Sequence, residues 1–360
     1  MTLREAIGQL FILGFEGRAP SFAVEDFIRK HNPGGVILFA RNLGSPEEIA
    51  MLTNALQAAA PTPLFVAIDQ EGGKVARLQP PFTQWPSAAT VGGVGSSELA
   101  YALGKAMAQE LLAVGINMNL APVLDVLTNP ANPIMAGRCF GGDPQLVTRH
   151  GMAVFGGLKD MGVLAVGKHF PGHGDTTVDS HLGLPVVPHD RARLWAVELA
   201  PFVAAIDAGI PALMTAHLLV PALDPERPAT LSRPILTELL RERLGFSGLL
   251  VSDDLLMRGI ADATPPGEAA VRFLEAGGDC VLICDDEAAQ RQAILAVTEA
   301  VETGRLSEAR VQLSCDRIAK AKAQYLGRGM AASAEAIREV VGCAAHHRVA
   351  ELLGGGATQE

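Results

Sequence analysis

Basic residues are in deficit in this sequence. The 29 Lys and Arg are outnumbered by 39 Asp and Glu, and the formal charge is −10. No basic stripe breaks the pattern, so nucleic acid and an anionic membrane surface are excluded as partners. Long apolar runs are missing as well. The run at 10–15 is too short to cross a bilayer, and no membrane association is expected. Glu5 precedes it where a secretory leader would carry basic residues. Cysteine is scarce and irregular: Cys139, Cys280, Cys284, Cys315 and Cys343 are odd in number. Cys280 and Cys284 share one expected strand, whose rise holds them too far apart to bridge. Free thiols in a reducing cytoplasm are the expectation. No linker, repeat or low-complexity block divides the chain.

What is present suits a large core: 49% of the residues are hydrophobic and only 19% charged. Apolar runs at 10–15, 35–40, 64–69, 116–123, 163–170, 212–217, 249–253 and 280–284 read as strands. Helices alternate with them and carry recognisable starts. Thr2 with Glu5 forms a capping box, Ser21 caps a second helix, and Ser45-Pro46-Glu47-Glu48 and Asp143-Pro144 open two more. Further helices are expected at 97–114, 190–209 and 232–244, with glycine repeatedly between helix end and strand start. Eight strands is the number that closes a (β/α)8 barrel, and a doubly wound open sheet is the competing arrangement. The expected fold is therefore α/β, a single-domain (β/α)8 TIM-type barrel with extra C-terminal helices. The barrel domain is placed at 1–330, with a C-terminal helix and a flexible tail over 331–360.

In a barrel, working side chains sit at the C-terminal ends of strands. Read in order, those ends offer Arg41; Asp69 and Glu71; Asp125; Lys168 and His169; His217; Asp253 and Asp254; and Asp285. Asp143, Asp190 and Asp285 read as helix caps. The densest stretch is 163–181, VLAVGKHFPGHGDTTVDSH, a buried strand that breaks at Pro171 into a loop rich in titratable groups. One chemistry for it is a metal site drawn from His169, His173, Asp175, Asp179 and His181. Against it, barrel metal enzymes collect ligands from several strand ends, and Lys168 brings positive charge to this one. The other chemistry is acid–base and nucleophilic. Asp179 and His181 are two apart, so an extended backbone points both to one side. An Asp accepting from Nδ1–H leaves Nε2 to exchange a proton with substrate. With Asp253 as a carboxylate nucleophile, this is the minimum set for retaining glycoside hydrolysis. Asp69, Arg77, Arg138, Lys168 and His169 would then meet sugar hydroxyls.

Six stretches carry a resemblance: IDQEGGKVARL from Ile68, NLAPVLDV from Asn119, NPIMAGRCFGGDP from Asn132, KHFPGHGDTTVDSH from Lys168, MTAHLLVPALDPERPATLS from Met214 and GFSGLLVSDDLLM from Gly245. With them the sequence resembles glycoside hydrolase family 3, in its bacterial β-N-acetylhexosaminidase branch, over most of residues 1–290. The stretch from Lys168 to His181 marks members acting on N-acetylglucosamine rather than β-glucosidases. The resemblance implies Asp253 as nucleophile, His181 oriented by Asp179 as acid/base, and Asp69, Arg77, Arg138, Lys168 and His169 as sugar-binding positions. It implies a carbohydrate substrate, a terminal β-linked N-acetylglucosamine on a muropeptide or disaccharide, and recycling of cell-wall fragments in the cytoplasm. It implies no cofactor and no metal. A phosphorolytic member would keep the same His. Cys139 stands where Ser is usual, which is expected to loosen that loop without touching chemistry. His173 and Asp175 read as loop-organising, Asp254 as a hydrogen-bonding partner of the site, and Gly172 and Gly174 as leaving the loop loosely constrained.

Overall fold

A strand buried on both faces, by the barrel interior and by covering helices, has no polar side to show, so its sequence is continuously apolar. Such runs form β1 (Phe11–Leu13), β2 (Gly35–Leu38) and β3 (Phe65–Ile68). A small hairpin follows, β4 (Gln70–Gly72) and β5 (Val75–Ala76). Then come β6 (Met118–Asn119), β7 (Leu164–Phe170), β8 (Ala212–Thr215), β9 (Leu249–Val251) and β10 (Val281–Ile283). The computed structural model describes residues 1–326 and 332–354. Leaving the hairpin aside, the strands run in the order β10-β1-β2-β3-β6-β7-β8-β9, every neighbouring pair parallel. A parallel bridge between Val251 and Cys280 joins the two ends of that order, so the barrel closes.

The expected caps are in place at Thr2, Ser21, Ser45, Asp143 and Asp190. Asp285 is not a cap. Asp286 takes that role with a left-handed φ of 57°, and Asp285 instead faces Arg41 at 3.9 Å. The helix expected at 190–209 is two helices, Arg191–Ala196 and Ala200–Asp207. Pro201 lacks an N–H to continue the first helix and sits in the first turn of the second. The strand expected at 116–123 shrinks to β6, because the chain turns through Pro122 and pairs with β7 only by scattered bonds such as Lys168 N–H to Pro122 O.

Phe11, Phe65, Phe170, Phe202 and Phe273 are fully buried, each worth roughly 2–3 kcal/mol of apolar transfer. Phe170 meets Phe202 edge-on, ring centroids 5.4 Å apart, which seats the functional end of β7 on the helix Ala200–Asp207. The C-terminal part holds two helices rather than one, Ala334–Val340 and Ala344–Leu352. The buried Glu110 of the helix Ser97–Ala113 ties them down, accepting from Gly342 N at 2.9 Å and facing His346 Nδ1 at 3.0 Å. The tail expected beyond Gly354 lies outside the described residues. Among the described residues, no helix is long and apolar enough to cross a membrane.

Candidate active site

Asp69 leaves the end of β3, and the Gly72-Gly73 turn of the β4–β5 hairpin sends the chain back so that Arg77 returns beside it. Both glycines have positive φ, 99° and 59°, which the turn requires. Lys168, near the C-terminal end of β7, is buried and reaches Asp69 Oδ1 and Glu71 Oε1, both at 2.7 Å. Arg138 forks onto Glu71 at 2.8 and 2.9 Å, and Arg77 lies 3.5 Å from Asp69. Burial alone would raise both carboxyls. Lys168, Arg77 and Arg138 outweigh it at Asp69, holding it at about 2, and Lys168 and Arg138 lower Glu71 as well. The two carboxylates in turn raise Lys168 against the pull of burial. Every one of these side chains is charged, and the charges interlock.

Asp125, fully buried, is the second hub. It accepts from His173 N at 2.6 Å and His169 N at 3.2 Å, and meets His169 Nδ1 at 2.7 Å. Arg138 Nη2 lies 3.4 Å from the other ring nitrogen of His169. Asp125 only accepts and Arg138 only donates, so Nδ1 carries the hydrogen and Nε2 accepts. His173 is buried between Thr176 Oγ1 at 2.8 Å and Ser180 Oγ at 3.2 Å. Burial, then the neighbouring His169, pushes its pKa down to about 4, so it is a neutral pin inside the loop. Gly174 is required by packing rather than freedom: a Cβ there would lie 1.9 Å from Val126 O. Gly172 needs both: its φ of 130° is one that side chains rarely adopt, and a Cβ there would lie 2.9 Å from the Glu198 side chain. The loop base is held tightly, contrary to the expectation drawn from its glycines.

Beyond β9, Asp253 and Asp254 differ sharply. Burial raises Asp253, but the His217 and His169 imidazoles, the Asp254 amide and the Lys168 ammonium outweigh it and hold it below the usual carboxylate range. One oxygen accepts from Asp254 N at 2.8 Å. Burial wins at Asp254, whose pKa is raised, and its carboxyl accepts from Leu256 N and Cys284 N at 3.1 and 3.2 Å. His217 sits behind both, donating from Nε2 to the Asp254 carbonyl at 2.9 Å. Asp179 Oδ1 accepts from His181 N and meets His181 Nδ1, both at 2.8 Å, which aims Nε2 away from the carboxylate. The His181 side chain is 61% exposed, so Nε2 is open to a ligand.

Most of these groups surround one open cavity at the C-terminal mouth of the barrel. Asp69, Arg77, Arg138, Lys168, His169, His181 and Asp253 all face it, and Asp179 stands behind His181. The structure thus brings together the whole expected set. Glu71, Asp125 and His217 were legible as strand ends but carried no assigned role; their partners come from other strands, which spacing along the chain does not reveal. Phe39, Ile134 and Met257 add apolar wall; the last two fall in the stretches that carry the resemblance but have no role assigned there. Cys139 is buried against Val123 and Met135, its thiol pushed up by burial, so the loop there is packed and not loosened. Among the described residues, no three His, Cys, Asp or Glu side chains gather as ligands for one ion.

The model of the glycosyl hydrolase family 3 N-terminal domain matches residues 2–321. The β-hexosaminidase A of Pseudoalteromonas piscicida is 38% identical over 89% of this chain, and the chain spans 61% of that protein's length. The β-hexosaminidase of Alkalilimnicola ehrlichii is 40% identical over 76% of this chain and 80% of its own. Among solved structures, a family 3 β-N-acetylglucosaminidase from Paenibacillus sp. str. FPU-7 superposes with a TM-score of 0.95 at 42% identity, covering 98% of this chain and 68% of that one. NagZ from Neisseria gonorrhoeae, solved with N-trifluoroacetyl-D-glucosamine, gives 0.81 at 30% identity over 96% and 98%. The barrel, its charged mouth and these likenesses agree: the chain belongs to glycoside hydrolase family 3.

Proposed function

We propose that this chain is a retaining exo-β-N-acetylglucosaminidase that releases terminal β-linked N-acetylglucosamine from peptidoglycan-derived fragments in the cytoplasm. The observation that carries the reading is that Asp253, held ionised, and His181, backed by Asp179, line one cavity beside an interlocked cluster of hydrogen-bonding charges. In the first step an Asp253 oxygen attacks the anomeric carbon while His181 Nε2–H protonates the departing glycosidic oxygen. A glycosyl-enzyme results. Asp179 stabilises the imidazolium that gives up the proton and, once the ring is neutral, holds it in place through Nδ1–H. In the second step Nε2 takes a proton from water, which attacks the same carbon and frees Asp253. The net result is retention. Asp69, Arg77, Arg138, Lys168 and His169 form the wall that meets the hydroxyls of the terminal sugar. Because each is already fixed by a charged neighbour, little ordering cost remains when the sugar binds.

The test is hydrolysis of a nitrophenyl β-N-acetylglucosaminide, with the anomer of the first-formed product followed by NMR. β-N-Acetylglucosamine as first product, independent of added phosphate, is the expected result. Inversion would refute the mechanism, and a 1-phosphate product would make the enzyme phosphorolytic.

A further inference from the structure

The loop that carries Asp179 and His181 is fixed at its entrance and at its exit. At the entrance, the segment after β6 grips residues 173–176: Asn132 Nδ2 donates to His173 O at 2.9 Å, and Asn129 Nδ2 donates to Thr176 O at 3.2 Å. Thr128 Oγ1 donates to Asp175 Oδ1 at 2.6 Å. At the exit, Val187 N donates to Leu219 O and Leu219 N to Pro185 O, both at 2.9 Å, so residues 185–187 are anchored beside β8. Across the neck, His189 Nε2 meets the other Asp175 oxygen at 2.5 Å, joining two residues 14 apart in sequence. Both oxygens of Asp175 are thereby used, by a hydroxyl from one side and an imidazole from the other.

We propose that His189 is a positioning residue for the acid/base. By clamping Asp175, it closes the neck of the loop and sets where the Asp179–His181 tip stands over the cavity. The physical ground is the alignment of two separately held anchors. Residue 176 and residues 185–187 keep their own bonds, and the clamp ties the two to each other; without it they shift relative to one another and carry the tip with them. His189 and Asp175 do not line the cavity and touch no substrate. Their effect is confined to the step in which His181 must lie within hydrogen-bond reach of the leaving oxygen. This inference rests on the reading of His181 as the acid/base.

The experiment measures kcat and KM for aryl β-N-acetylglucosaminides of graded leaving-group acidity, in His189→Ala, His189→Gln and Thr128→Val, with His181→Ala as reference. A displacement of about 1 Å costs on the order of 10²-fold in rate, so His189→Ala should lose roughly 10- to 100-fold in kcat on the poorest leaving group. On a dinitrophenyl substrate, glycosyl-enzyme formation should change by less than about twofold, with KM unmoved, since no protonation is needed there. His189→Gln keeps an Nε2–H for Asp175 and should recover most of the loss. Thr128→Val, which breaks the other arm, should show a weaker version and serves if His189→Ala does not fold. Equal loss on every leaving group, or no recovery with Gln in a folded protein, overturns the clamp. If His181→Ala itself shows no dependence on leaving group, the acid/base reading fails and takes the clamp with it. Dependence in His181→Ala without dependence in His189→Ala overturns the clamp alone.

Discussion

The amide of Gly259 donates to the carbonyl of Ser180 at 2.9 Å, so the loop bearing Asp179 and His181 leans on the segment that follows Asp253. The two halves of the proposed chemistry are therefore in backbone contact. A Cβ on Gly259 would lie 3.1 Å from Ser180 O, 3.2 Å from Gly183 O and 3.2 Å from His217 Cβ. Gly259→Ala asks for a shift of a few tenths of an ångström, and Gly259→Val for more. The valine variant should lose on the order of 10-fold or more in kcat/KM through a displaced loop. Gly259 is buried in the short helix Arg258–Ala261 against His217, so the valine variant should also unfold at a lower temperature, and kcat/KM is compared below that transition. Unchanged kcat/KM in a folded Gly259→Val protein would mean that this contact does not set the loop.

Lys168 is buried with two carboxylates on it, and removing it leaves Asp69 and Glu71 with Arg77 and Arg138 alone. Breaking a buried pair from one side costs about 3–5 kcal/mol, and Lys168→Met should show a loss of that order in urea unfolding at neutral pH. The pH dependence follows from the directions of the shifts. Asp69 is depressed from 3.8 to about 2, so its contribution, roughly 2 kcal/mol, is present above pH 4 and lost as pH falls toward 2. Lys168 is raised above 10.5, so its contribution is present below that value and lost as pH rises through the folded pKa. Unfolding free energy of the wild type should fall between pH 4 and 2, and more shallowly in Lys168→Met. Equal acid slopes would place the depression of Asp69 on Arg77 and Arg138 instead.

Much of this fold was legible because barrel strands are buried on both faces and announce themselves as apolar runs that stop at a charged or imidazole side chain. The helix starts were legible for a local reason: Ser45-Pro46 and Asp143-Pro144 state their capping chemistry within a few residues. What was not legible depends on partners distant in sequence. Glu71 is a carboxylate near a strand end until Arg138, 67 residues on, forks onto it. Asp125 likewise becomes a hub only when β7 delivers His169 and the start of its loop. The glycines misled for the same reason, since the Val126 carbonyl that forbids a side chain at Gly174 comes from another strand's loop.

Asp253 and Asp254 are adjacent, and their environments separate them. Both line the cavity, but the first is held ionised, and the second is raised by burial and occupied by two backbone amides. Reaction with a fluorinated N-acetylglucosaminide, followed by denaturing mass spectrometry, should place a covalent sugar on the peptide containing Asp253. Fragmentation should assign it to Asp253 and not its neighbour. Asp253→Ala should lose the adduct and nearly all turnover, while Asp254→Asn should retain the adduct with impaired rates. A sugar found on Asp254 would reverse the assignment.

The pair Asp179–His181 makes the sharpest demand. If His181 gives its proton to the leaving oxygen, its removal must hurt most where protonation is needed. A sugar alkoxide leaves only when protonated, and a dinitrophenolate scarcely needs help. His181→Ala should therefore lose on the order of 10²–10⁴-fold on a disaccharide, the usual scale of general-acid catalysis. On the activated substrate, formation of the glycosyl-enzyme should be nearly spared, while its hydrolysis slows for want of a base. Stopped-flow traces should then show a burst, and azide, which needs no deprotonation, should restore turnover as the β-glycosyl azide. Asp179→Asn should give a milder form, because the imidazole survives without the carboxylate that now meets Nδ1 at 2.8 Å. Equal loss on both substrates, with no burst and no azide rescue, would make His181 a binding group only. His173, the next imidazole along the loop, could not take over: a pKa near 4 and a seat between Thr176 and Ser180 make it a poor acid at neutral pH.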